Sequence, residues 1–144
     1  VAEEDRVRHP EEQEKAEIRG GNETILLVDD ESFIRELAEV MLRRFGYAVI
    51  TAADGETALE IYREKNAFIS LVILDLIMPG MGGKNCLAEL LKINPRIKVL
   101  ISSGFTLDEP GKDAILIQAK GFIQKPYNFR SMLQRMRQAI TQQV

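Results

Sequence analysis

Asp75 closes the apolar run Leu71, Val72, Ile73, Leu74 and is followed at once by Leu76, Ile77, Met78, Pro79 and Gly80. A carboxylate at the mouth of a buried strand is a chemical tool. Asp29 and Asp30 close a second apolar run, Ile25 to Val28, and Lys125 with Pro126 closes a third, Phe122 and Ile123. Carboxylates crowded at one sheet edge repel, and each ionised group disfavours its neighbours unless a cation sits among them. A divalent ion plus a lysine is the natural remedy. Hard oxygen ligands, one or two of them carboxylates, describe a magnesium site, whose usual companion is a phosphoryl group.

Three acids and a lysine meet only if the intervening chain alternates strand and helix. The pattern predicts strands at 24–28, 47–51, 71–74, 97–101 and 121–124. Helices are expected at 32–44, with Phe33, Leu37, Val40 and Met41 on one face, at 55–65 with Ala58, Leu59 and Tyr62 inward, and at 83–92. Gly46 stops the first. A further helix falls between Asp108 and Ala119, its start blurred by Pro110 and Gly111. The last, capped by Asn128, carries Phe129, Met132, Leu133, Met136 and Ile140 at helical spacing. Unbroken apolar strands indicate burial on both faces, hence a parallel sheet between helical layers. In such doubly wound α/β sheets the ligand lies beyond the carboxyl ends of the strands, where Asp29, Asp30, Asp75, Ser103 and Lys125 fall.

Composition narrows the classes. The 144 residues suit one domain, and 45% hydrophobic content suits a globular one. The net charge of −3 sits in the tail: residues 1–23 carry eight acids against four bases and end in Gly20, Gly21, Asn22, which reads as a charged linker with a flexible joint. The remainder, 24–144, has no basic stripe, which argues against nucleic-acid binding. The single Cys86 excludes an internal disulfide, suits a reducing cytoplasm and is expected buried; His9, alone in the tail, has no partners for metal or catalysis. No stretch approaches the length of a membrane span, so a cytoplasmic chain without membrane contact is expected. A first residue of Val1 suggests a piece of a longer or processed polypeptide.

Four segments in order, ILLVDDE at 25–31, LVILDLIMPGMGG at 71–83, VLISSG at 99–104 and GFIQKP at 121–126, are together specific. From about Glu23 onward the chain resembles the receiver domain of bacterial two-component response regulators. The resemblance implies a flavodoxin-like five-stranded parallel sheet of order 2-1-3-4-5 with helices on both faces. It implies that Asp75 accepts a phosphoryl group from a phosphohistidine, and that Asp29, Asp30, Asp75 and the backbone carbonyl of Ile77 hold magnesium or manganese. Lys125 then pairs with Asp75 and afterwards with a phosphoryl oxygen. Ser103, chosen over Ser102 because a small residue follows it, matches the switch hydroxyl, and Phe122 the aromatic that moves with it. The Lys125–Pro126 peptide is expected cis. Implied partners are a histidine kinase or histidine phosphotransfer protein, contacted by the first helix or by the face of the fourth helix, fifth strand and last helix, and a second copy in a homodimer. The tail ahead of the first strand resembles the linker before the C-terminal receiver of hybrid sensor histidine kinases; a stand-alone or other multidomain regulator is the alternative.

Elementary chemistry agrees with these roles. Phosphoryl transfer needs positioning and charge neutralisation more than covalent help, and a metal ion with Lys125 supplies both. A hydroxyl that grips only the phosphorylated state gives the differential affinity a population shift requires. The resemblance also implies that Ile77 and Phe105 stand at the positions bordering the path of attacking water; both being apolar, a long-lived acyl phosphate is expected. Blander readings stand beside these: the Asp29–Asp30 pair could serve a helix dipole, Ser103 a turn, and Phe122 the core. A haloacid-dehalogenase-like phosphatase also uses a strand-end Asp with magnesium, but expects a second Asp where Ile77 stands. A receiver is not an enzyme toward other substrates; it catalyses only its own phosphorylation and dephosphorylation.

Overall fold

The computed structural model describes residues 19–104 and 114–142. Five parallel strands, β1 (Thr24–Val28), β2 (Ala48–Ala52), β3 (Ile69–Asp75), β4 (Val99–Ser103) and β5 (Gly121–Gln124), lie in the order β2-β1-β3-β4-β5. Among the described residues four helices alternate with them: α1 (Ser32–Arg44), α2 (Gly55–Lys65), α3 (Gly82–Ile93) and α4 (Phe129–Thr141). Between β4 and β5 the described residues hold one short 3₁₀ turn, Leu116–Gln118, in place of the end of the helix expected between Asp108 and Ala119; residues 108–113 of it, with Phe105, lie outside them.

Strand alternation divides the core in two. Leu26, Val28, Val72, Leu74 and Ile101 face α2 and α3 residues such as Tyr62, Leu87 and Leu90. Ile25, Leu27, Leu71, Ile73 and Leu100 face Ala38 and Leu42 of α1 and Met132, Leu133 and Met136 of α4. Both faces being covered, the strands read as continuous apolar runs. Asp54 caps α2 by accepting from Thr57 N at 2.7 Å, and Asn128 caps α4 by accepting from Ser131 N at 3.1 Å. Cys86 is buried as expected, and burial, aided by Glu56 and Asp54, pushes its thiol up to about 12.

Three expectations need correction. The apolar stripe of α1 points outward: Phe33 is 70%, Leu37 42% and Val40 53% exposed, while Ala38 and Leu42 make the packing. Periodicity shows that a stripe exists; here the smaller residue behind it sets the approach to the sheet. The Gly20–Gly21 joint is a clasp. Gly21 N donates to Phe45 O at 3.0 Å, a Cβ on Gly20 would run into that same carbonyl, and a Cβ on Gly46, at φ +97°, would run into Gly21 O. Only glycines allow the two backbones so close. The apolar run Ile115, Leu116, Ile117 reads as core for most of its residues, yet only Leu116 is buried, Ile115 being half-buried and Ile117 exposed.

Candidate functional site

β1 and β3 are neighbours, so their carboxyl ends set Asp29 beside Asp75, and β4 and β5 bring Ser103 and Lys125 to the same edge. β3 runs through Asp75 itself and β4 through Ser103, each a little farther than the apolar runs suggest. The chain turns sharply after Asp75: Gly83 N donates to Leu76 O at 3.0 Å, and a Cβ on Gly83 would collide with the Asp75 and Leu76 carbonyls. That close approach packs the start of α3 against the end of β3.

Asp29 and Asp75 are buried, Asp30 is exposed, and one carboxylate oxygen from each lies within 4.8 Å of the others. Lys125 Nζ donates to Asp75 Oδ2 at 3.2 Å and reaches within 3.5 Å of Glu31 Oε1. It also comes within 2.7 Å of Asp29 Oδ2, but off the line of a hydrogen bond, so this fully buried oxygen has an ion pair and no hydrogen-bond donor. Burial and the nearby Asp29 charge push Asp75 up to about 6 against the pull of Lys125. For Lys125, burial works against its charge, but Asp29 and Asp75 outweigh it and hold the ammonium well above its ordinary range. An under-bonded, buried carboxylate oxygen within a cluster of hard donors fits a small divalent cation. The cleft above, about 590 Å³, is lined by Asp30, Glu31, Asp75, Ile77, Lys125 and Pro126 among others.

The other expected residues fall around this cluster. Ile77, 59% exposed, lines the cleft, and its N–H donates to Asp75 Oδ1 at 3.3 Å. Ser103 is buried at the end of β4, and Phe122 is half-buried against the α2–α3 side of the core. The Lys125–Pro126 peptide is cis. Three contributors were missed in the sequence. Arg35 donates to Asp29 O at 2.7 Å, Glu31 N donates to Asp29 Oδ1 at 2.9 Å, and the Tyr127 hydroxyl donates to Ser102 Oγ at 3.2 Å. Arg35, six residues after Asp29 and on the first turn of α1, had a usable signal in its spacing; the Tyr127–Ser102 contact, between distant segments, had none.

A parallel 2-1-3-4-5 sheet with acids and a lysine gathered at its carboxyl edge is a doubly wound α/β fold whose cluster sits where such folds bind their ligands. Residues 25–137 match the response regulator receiver domain, and the chain belongs to that family, the receiver domains of two-component signalling. The sensor kinase CckA of Brucella abortus is 34% identical over 90% of this chain, which spans only 14% of that kinase. The response regulator TrrA of Thermotoga maritima, solved with Mg2+–BeF, superimposes with a TM-score of 0.73 at 32% identity, covering 81% of this chain and 98% of that one. The complex of TrrA with the histidine kinase ThkA matches with a TM-score of 0.73 at 31% identity, over 83% and 99%. Among the described residues no helix is long and apolar enough to cross a membrane.

Proposed function

We propose that Asp75 is the phosphoacceptor of a phosphorelay. One Asp75 oxygen attacks the phosphorus of a partner's phosphohistidine; the P–O bond forms as the P–N bond breaks, and the imidazole leaves and takes up a proton. Asp29, Asp30, Asp75 and the Ile77 carbonyl are the ligands for magnesium or manganese, which when bound neutralises charge on the phosphoryl oxygens. Lys125 holds Asp75 in place before transfer and meets a phosphoryl oxygen after it. Ser103 then closes on the phosphoryl group, with Phe122 following. The observation that carries this reading is the Lys125 ammonium shared by Asp75 and Asp29 at one sheet edge.

The partner is a histidine kinase or a histidine phosphotransfer protein, and the exposed Phe33, Leu37 and Val40 of α1, the helix whose Ile34 lines the cleft, offer it an apolar seat. The likeness to one segment of a sensor kinase favours a receiver within a hybrid kinase, in a cytoplasmic setting, over a stand-alone regulator. The receiver begins ahead of residue 24, because Gly20 to Glu23 are held against the α1–β2 turn and β2.

Acetyl phosphate with magnesium, followed by mass spectrometry, tests the reading. The wild-type protein gains one phosphoryl group and Asp75→Asn gains none; continuous phosphate release would instead make it a phosphatase.

A further inference from the structure

β4 brings two serines to the site edge, and the chemistry above uses only Ser103. Alternation sends the Ser102 side chain to the opposite face, the one that carries Leu100, where it is fully buried. A hydroxyl taken out of water needs a partner. The Tyr127 hydroxyl donates to it at 3.2 Å, with the Tyr127 ring packed on that core and edge-on to Phe129, centroids 6.0 Å apart. Burial pushes the phenol up to about 12, so it stays an O–H donor through neutral pH.

The two residues belong to the two segments that frame the site. Ser102 pairs in register with Asp75, and its carbonyl accepts from Leu76 N at 2.8 Å. Tyr127 lies two residues beyond Lys125, whose own N–H donates to Ser103 O at 2.8 Å. The main chain therefore ties β4 to the acceptor strand and to Lys125 on one side of Pro126, and the phenol repeats the tie on the other side. None of the metal-ligand candidates takes part.

We propose that Tyr127 is a positioning residue: its hydrogen bond to Ser102 anchors the loop carrying Lys125 to the strand beside Asp75, and so fixes where the Lys125 ammonium meets the phosphoryl group. This rests on the phosphoacceptor reading of Asp75. Tyr127→Phe keeps the ring and its packing and removes only the donor.

Phosphorylation by acetyl phosphate with magnesium is measured in wild type, Tyr127→Phe, Lys125→Ala and the double variant, with magnesium titration alongside. Tyr127→Phe should slow phosphorylation about fivefold, because small displacements of a positioned group cost large factors. With Lys125 already gone, the same change should cost less than about twofold, since two residues acting through one contact are not additive. Magnesium affinity should not move, and Ser102→Ala should reproduce the loss. Amide exchange at Lys125 in the metal-free protein should quicken in both Tyr127→Phe and Ser102→Ala. An unchanged rate in Tyr127→Phe overturns the proposal, and so does an equal loss with and without Lys125, the mark of packing alone. If wild type accepts no phosphoryl group, the reading of Asp75 fails; unchanged Lys125 exchange would then overturn the tie as well.

Discussion

The two ends of the sheet treat charge in opposite ways. At the amino ends of the strands, Arg137 pairs with Glu23 at 2.8 Å and Lys98 Nζ donates to the Ile140 carbonyl at 2.5 Å, each ion meeting its own partner. At the carboxyl ends, Asp29 and Asp75 share the ammonium of Lys125 with the more exposed Glu31, and one buried oxygen of Asp29 has no hydrogen bond. Polar groups are satisfied where the task is to hold the fold and left in excess where the task is to bind something further. Substitutions at the two ends should therefore differ in sign.

The largest effect belongs to the amino end. Gly46→Ala places a side chain at positive φ and drives it into Gly21 O, and urea unfolding should show a loss of about 2–3 kcal/mol. A loss no larger than that of an ordinary surface change would mean that the clasp opens freely.

The opposite sign is expected at the carboxyl end. Asp75 titrates at about 6 in the fold, above the ordinary 3.8, because burial and the Asp29 charge resist its ionisation. Between those values the folded protein holds the proton that the unfolded chain releases, so stability falls as pH rises through this window. In chelator at pH 7, Asp75→Asn should be more stable than wild type by about 2 kcal/mol, and the gain should vanish below about pH 4. Magnesium should narrow the difference by favouring the wild-type carboxylate cluster. A destabilised Asn variant would mean that Lys125 outweighs the repulsion.

Next in size is a change with no stability component. Phe33→Ser with Leu37→Ser removes exposed apolar surface of α1. Transfer from a phosphorylated histidine partner should slow about tenfold, worth about 1.4 kcal/mol, while acetyl phosphate reacts at the wild-type rate. Equal slowing with both donors would move the effect from docking to the site. The smallest change is Arg137→Met, where loss of a half-exposed pair should cost about 0.5–1 kcal/mol in urea unfolding, less at high salt.

The contrast between the ends also marks what the sequence could tell. Acids and a lysine directly after apolar runs are legible, because a parallel sheet delivers every strand terminus to one edge. Asp29, Asp75 and Lys125 meet for that reason alone. The outward face of α1 was hidden because a stripe of Phe33, Leu37 and Val40 has the period of a buried one, and only tertiary packing selects Ala38 and Leu42 instead. Gly20 and Gly21 read as slack because glycine permits both looseness and very close approach; the neighbour that decides, Phe45–Gly46, is more than twenty residues away. The Tyr127–Ser102 tie depends on which face of β4 each serine takes, a matter of register.

The clasp has a mechanical side. Gly21 is hydrogen-bonded to Phe45, Glu23 O accepts from Ala48 N at 3.0 Å, and the Glu23 carboxylate is held by Arg137 of α4. Tension arriving along the backbone at residue 19 is shared among the α1–β2 turn, the edge strand β2 and α4 before it reaches β1. Like the strain relief on a cable, these contacts take the pull ahead of the connection, and the loop bearing Asp29 and Asp30 at the far end of β1 keeps its geometry under load.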